Sequence, residues 1–319
     1  MKQRSLASQS VFAKYGRKSR RELFLDEMEQ IAPWAELLAL VEPHYAKAVK
    51  GRHPVGLSIM LRTYFLQQWF NLSDPGVEEA LYESPVLQRF VGVDLGVAPA
   101  PDETTILRFR HLLEKHGLGE QMLDTVNEHL ESKGIRIQTG TIVDASILHA
   151  PSSTKNEAGK RDPAMHQTKK GNQWFFGLKT HIGVDSKEGH VHSVATTAAN
   201  VSDVHMLPGL LHGEERKVWG DGGYQGQTEA IKQAAPHAQD MTCKRTRFKN
   251  YVDEEARRKN TIKSRVRAKV EHVFRILKRV FGFDKVRYRG IAKNHHRLCA
   301  NFALINLYLH RKRLAVIAQ

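Results

Sequence analysis

Cysteine is scarce: Cys243 and Cys299 stand alone in 319 residues, with no Cys-x-x-Cys spacing, so neither a disulfide framework nor a cysteine-based zinc motif is suggested. No uncharged run approaches the roughly 18 apolar residues that a membrane span needs. The opening MKQRSLASQSVFAKYGRKSRRELF is basic and lacks the apolar centre of a signal peptide. The expectation is a chain in a reducing cytoplasm with no membrane partner. A phosphate-cradling GxxxxGK[ST] loop is missing, so an ATP-driven mechanism is not suggested. Internal repeats and low-complexity tracts are missing as well. Acidic charge is also in short supply, with 34 Asp+Glu against 49 Lys+Arg and a formal net charge of +15. Such a surplus favours a polyanionic partner, since each phosphate neutralised by Lys or Arg releases condensed counterions. A basic protein without nucleic acid is the blander alternative. The excess is local: Met241 to Gly290 holds 17 Lys/Arg and 5 Asp/Glu, a net of +12, which favours a binding surface.

What is present divides near Gly134. Residues 1–135 read as a helical N-terminal domain. Pro54 to Phe70 is apolar at helical spacing, Val77 to Leu81 reads as a short helix, and Thr104 to Lys133 supplies two more, with Asp102 as N-cap region and Gly117 and Gly119 separating them. Short helices with brief turns are compatible with helix-turn-helix DNA binding, although compact bundles of other purpose are commoner. Residues 136–319 read as α/β. Strands are predicted over Ile135 to Leu148, Trp174 to Asp185, His190 to Thr197, Lys217 to Gly220 and Ala238 to Cys243. Helices are predicted over Val204 to Leu211, Thr228 to Ala235, Thr261 to Phe281 and Lys293 to Arg313. Three strands, a helix, a strand, a helix, a strand and a helix is the order of the ribonuclease H-like fold, a mixed central sheet flanked by helices. Ala150 to Gln173 is polar and predicts a long, mobile loop.

Three acids stand out. Asp144 interrupts an apolar strand and shares a face with Ile142, Ser146 and Leu148. A carboxylate there is costly unless it is paired or holds a metal, or accepts from a nearby backbone amide. Asp221 ends a short strand and opens Asp221-Gly-Gly-Tyr224, which alone marks a turn but also allows close approach of a ligand. Glu271 sits in the predicted long helix. At about 100° per residue, Ser264, Arg267, Arg275 and Lys278 fall within roughly 40° of it. Ile262, Val266, Val270, Val273, Leu277 and Val280 form an apolar stripe largely on the opposite side. A solvated face with (i, i+4) ion pairs is the plain reading. One Glu among three cations, however, leaves positive charge for incoming phosphates. Together the acids suit two hard divalent ions about 4 Å apart in phosphoryl transfer. Among other candidates, His190-Val-His192 lacks a third zinc ligand at fixed spacing. Trp219 reads as core, and Trp174 and Phe175 stay open as base-stacking groups.

The chain resembles the insertion-sequence DDE transposases of family five along nearly its whole length. The resemblance is carried by EMEQIAPWAELLALVEPHY (27–45), VGLSIMLRTYFLQQWFNLSDPGVEEALYES (55–84), PDETTILRFRHLLEKH (101–116), TIVDAS (141–146), GLKTHIGVD (177–185) and VWGDGGYQG (218–226). Arg267, Glu271 and Lys278 fit that family's signature of Tyr, two residues, Arg, three residues, Glu, six residues, Lys, with Ser264 at the Tyr position. The resemblance implies a catalytic and metal-binding triad of Asp144, Asp221 and Glu271 holding two Mg²⁺ ions, with Mn²⁺ able to substitute. It also implies DNA contacts from Arg267 and Lys278, with Arg275 and Ser264 on the same helix face. The partners it implies are the double-stranded transposon ends and target DNA, bound by a dimer. The rival readings are a non-catalytic DNA-binding relic and a metal-dependent nuclease that cuts without joining.

Overall fold

The structure is a computed structural model that describes residues 17–46, 53–155, 157, 159–248 and 251–317. The first sixteen residues of the basic opening segment lie outside the described residues.

The N-terminal part is helical, as its apolar spacing predicts. Helices α1 (Arg20–Ile31), α2 (Trp34–Val41), α3 (Leu57–Trp69), α4 (Asp74–Glu83), α5 (Pro85–Val91), α6 (Glu103–Lys115) and α7 (Leu118–Ser132) follow one another closely. Local chemistry sets their ends. Ser19, Ser73, Ser84 and Asp102 each accept a backbone N–H of the first turn, which satisfies a donor the helix cannot. Gly117, at φ +62°, turns the chain between α6 and α7.

The strands that follow are β1 (Gly140–His149), β2 (His166–Lys170), β3 (Gln173–Asp185), β4 (Val191–Ala198), β5 (Lys217–Trp219) and β6 (Gln239–Asp240). The order β4-β3-β1-β5-β6 is antiparallel across β4, β3 and β1 and parallel across β1, β5 and β6. That is the ribonuclease H-like topology. Helix α8 (Thr228–Ala234) and a 3₁₀ segment (Asp203–Leu210) cover one face, packing on Val143, Val218 and Tyr224. Helix α9 (Glu254–Arg275), continued by a π segment to Val280, and helix α10 (Ile291–Ile317) cover the other.

Three expectations need correction. The first strand begins at Gly140, because Gly134 at φ +77° closes α7 and the Ile135 N–H returns to the Leu130 carbonyl. Part of the polar stretch predicted as a mobile loop is strand β2, paired to β3 from His166↔Gly177 to Lys170↔Gln173. Its side chains are exposed or half-buried, so the backbone ladder forms without an apolar alternation that would announce it. Just before it, Asp162 accepts from the Gly290 and Ala164 amides, and Met165 is buried. Finally, the apolar stripe of α9 is buried only at its centre, since Ile262 and Val280 are 66 % and 41 % exposed. The N-terminal half of α9 runs beyond the core, with Asn260 and Lys263 held by backbone groups of Lys244 and Thr242.

One apolar core runs from Leu25 to Leu314 and takes in both the helical part and the α9/α10 face of the sheet. The change of element type near Gly134 is thus not a break in the core. Helix α10 is the common wall, packed on α7, α1 and β4. Asn306 fastens it: fully buried, it accepts from the Val191 N–H at 2.8 Å and donates to the Val191 carbonyl at 2.7 Å and to Asn127 Oδ1 at 2.8 Å. Asn306→Leu keeps the branched shape and strands the Val191 N–H and Asn127 Oδ1, while Asn127 still donates to the Val191 carbonyl. It is expected to destabilise the protein by about 2 kcal/mol or more, read as a lower denaturant midpoint. A midpoint equal to wild type would contradict this role.

Candidate active site

Strand β1 puts Asp144 in the middle of the sheet, opposite Ile182 of β3, on the face covered by α9 and α10. Its side chain is 18 % exposed. One oxygen accepts from the Ala145 amide at 2.8 Å, and the other meets Arg267 Nη2 at 3.2 Å. Both answers to a buried carboxylate, a neighbouring amide and a cation, are therefore used at once. Burial still dominates: it pushes the Asp144 carboxyl up to about 6, the Ala145 amide and Arg267 pull it down, and the Asp221 charge raises it further.

Asp221 follows β5, which runs parallel to β1 and pairs with it at Gly140 to Ile142. Its Oδ1 accepts from the Gly223 amide at 2.8 Å, so the turn expected of Asp-Gly is present, capping a 3₁₀ turn over Gly222–Tyr224. The turn delivers Tyr224 into the interior. In the sequence this tyrosine stands out only as part of VWGDGGYQG. Among the described residues its hydroxyl is buried without a hydrogen-bond partner, and burial, together with the charges of Asp203, Asp144 and Asp221, raises its pKa.

Glu271 is on α9, one turn after Arg267. Arg267 touches Asp144, while Lys278, two turns after Glu271, donates to the Ile147 carbonyl of the same strand at 2.7 Å. The helix face that carries Glu271 is thus laid along β1. Glu271 itself is exposed and, among the described residues, has no ion-pair partner, so the (i, i+4) pairs of a plain solvated helix are not formed. Of the four residues expected to meet DNA, Arg267 and Lys278 are turned onto β1, and burial lowers the pKa of Lys278. Arg275 and Ser264 are exposed, Arg275 beside His272. Trp219 is core, as its neighbours predict, whereas Trp174 is 65 % exposed on the β2–β3 hairpin. His190 and His192 are held apart by different neighbours, His310 for one and Thr141 and His212 for the other.

The residues suit a divalent cation. Two carboxylates lie close enough for one charge to act on the other, and an arginine already supplies positive charge between sheet and helix. Arg267 Nε and the Tyr224 hydroxyl are buried donors with no acceptor among the described residues, which oxygens of water or phosphate would satisfy. The three acids are drawn up loosely: the described group of three or more ligand side chains whose atoms all lie within 4.8 Å of one another is a different one.

The raised Asp144 pKa has a definite pH signature. An unfolded aspartate titrates near 3.9, so the native state holds its proton more tightly, and ionising Asp144 weakens the fold as pH rises from about 4 through about 6. In chelator, Asp144→Asn is expected to gain stability relative to wild type across that window, by at most ~3 kcal/mol. Mg²⁺ at 10 to 100 times its dissociation constant is expected to raise wild-type stability by about 1–3 kcal/mol at pH 7.5 and by much less near pH 4. Thermal melts of both proteins check this. A pH-independent difference between them would contradict it.

The sequence matches two families. Residues 136–307 match the family described as Transposase DDE domain, and residues 13–112 match the one described as Transposase domain (DUF772). No solved structure matches the chain. With the first match covering more than half of its length, the chain belongs to the DDE transposases.

Proposed function

We propose that this transposase binds the terminal inverted repeats of its own element and cuts and joins DNA at a centre formed by Asp144, Asp221 and Glu271. The observation that carries the reading is the placement of Asp144: a buried carboxylate on the central strand, coupled to Asp221 and lying under the helix face of Glu271. When bound there, Mg²⁺ or Mn²⁺ would activate the attacking oxygen and stabilise the leaving one. Asp144 and Asp221 hold their positions through the Ala145 and Gly223 amides, so Asp221 presents its second oxygen with little rearrangement and Asp144 does so once Arg267 turns from it to a phosphate. Glu271 adds the third carboxylate from the exposed side. Arg267 is placed to pair either with Asp144 or with a backbone phosphate, while Arg275 and Ser264 face solvent for DNA. Water and then a DNA 3′-hydroxyl are the proposed nucleophiles, with no covalent link to the protein.

In this reading residues 1–135 engage the element's ends, residues 136–319 carry the chemistry, and two copies act together on the paired ends. The motifs quoted above favour insertion-sequence family five within the DDE transposases. The exposed Trp174, with Lys169 Nζ 5.9 Å from its ring centroid, offers a stacking surface beside basic side chains on the same hairpin.

Cleavage and strand transfer on a duplex carrying the element's ends, with Mg²⁺ or Mn²⁺, is the test. Asp144→Asn, Asp221→Asn and Glu271→Gln are each expected to bind the ends and to lose at least about 100-fold in cutting, beyond the loss usual for groups outside the metal's own ligands. Normal cutting by any of the three would remove that residue from the site. End binding by wild type without cutting would favour the DNA-binding relic, and cutting without joining would favour a nuclease.

A further inference from the structure

Two strands across the sheet from Asp144, where α10 packs between α7 and β4, lies a group of side chains with no part in the proposed chemistry. Glu120 of α7 meets His295 of α10, with Oε1 and Nε2 3.0 Å apart. Cys299, one turn further along α10, brings its Sγ to 3.5 Å from the same Nε2. The three ligand atoms all lie within 4.8 Å of one another. We propose that Glu120, His295 and Cys299 form a zinc site that clamps α7 to α10.

The dimensions fit the ion. Bond lengths of about 2.0 Å to nitrogen or oxygen and about 2.3 Å to sulfur set ligand–ligand distances of roughly 3.3–3.7 Å in a tetrahedron. The His295–Cys299 separation of 3.5 Å already falls in that range, and the Glu120–His295 contact needs to open by only a few tenths of an ångström. The donor set selects the metal. Thiolate and imidazole suit a borderline-soft cation such as Zn²⁺, whereas Mg²⁺ and Ca²⁺ prefer oxygen alone.

The surroundings orient the ligands. Thr196 of β4 places its Oγ1 2.9 Å from His295 Nδ1. An imidazole with its proton on Nδ1 can donate to that hydroxyl and present a bare Nε2 to the metal, an arrangement common among metal-bound histidines. Gly119 brings the helices together: a Cβ at this position would lie 2.5 Å from the His296 carbonyl oxygen, so only glycine lets α7 and α10 approach this closely. Cys299 is buried, His295 is half-buried and Glu120 is exposed, so an ion reaches the thiol from the Glu120 side. The Cys299 thiol is held well above its ordinary pKa by burial and by the Glu120 and Asp124 charges. A cation among these groups offsets that penalty, with the thiol proton released to solvent and one coordination position left to water.

Zinc added to the full-length protein in the presence of excess Mg²⁺, followed by gel filtration and elemental analysis, reads the site directly. About one zinc per chain is expected. Glu120→Gln, an exposed change that leaves the fold alone, is expected to weaken zinc binding by at least about tenfold, and Cys299→Ser to abolish retention. Thr196→Val is expected to weaken binding by about 10–100-fold through the orientation of His295. Co²⁺ in place of zinc is expected to give a thiolate charge-transfer band in wild type and in Cys243→Ser, but not in Cys299→Ser. No retained zinc in wild type would overturn the site. So would zinc retained equally by the Glu120 and Cys299 variants, or a cobalt spectrum without the thiolate band. DNA cleavage plays no part in these readouts, so failure here leaves the proposed function untouched, and the reverse holds too.

Discussion

A carboxylate set into the central strand of a sheet dictates much of what surrounds it. Asp144 is too deeply placed to be solvated by water alone, and an unpaired charge in such a place costs several kcal/mol. The chain answers with the amide of the next residue and with Arg267 from across the sheet–helix interface. That second contact fixes the phase of α9: Arg267 is turned onto β1 and Lys278 reaches the Ile147 carbonyl, with Glu271 exposed at the edge of the helix face they share. Asp221 comes to the neighbourhood independently, through the parallel pairing of β5 with β1. Even with these partners the Asp144 pKa stays near 6, so the metal-free arrangement is only partly neutralised. A site left short of positive charge in this way is suited to bind it.

Much of this was legible in the sequence, for identifiable reasons. The strand of Asp144 and its inward face followed from alternation, because Ile142 and Leu148 are core residues on the same side. The order of strands and helices was enough to give the ribonuclease H-like topology. Less visible were features that depend on partners distant in the chain. Strand β2 is held by a backbone ladder with few buried side chains, so its residues read as loop. Arg267 and Lys278 looked like spare cations on a helix face. Only the packing of α9 shows that one meets a carboxylate 123 residues away and the other a backbone carbonyl 131 residues away.

The same limit hid the Glu120–His295–Cys299 group. A lone cysteine four residues after a histidine has no motif to mark it, and the third side chain comes from another helix, 175 residues before His295. What joins them is α10, whose buried residues serve both the helical part and the sheet. Asn306 secures it to β4 and the glycine at position 119 lets α7 close against it. The C-terminal helix is thereby the element through which the N-terminal helices are held in a fixed relation to the strand of Asp144.

The central claim, that three segments distant in sequence converge on one divalent-metal centre, is tested most directly by replacing Mg²⁺ with Fe²⁺ and letting ascorbate and peroxide cut the polypeptide next to the bound metal. The account predicts backbone cleavage clustered near Asp144, Asp221 and Glu271, suppressed by excess Mg²⁺ and lost together in Asp144→Asn. Cleavage confined to other parts of the chain, or unaffected by that substitution, would contradict it.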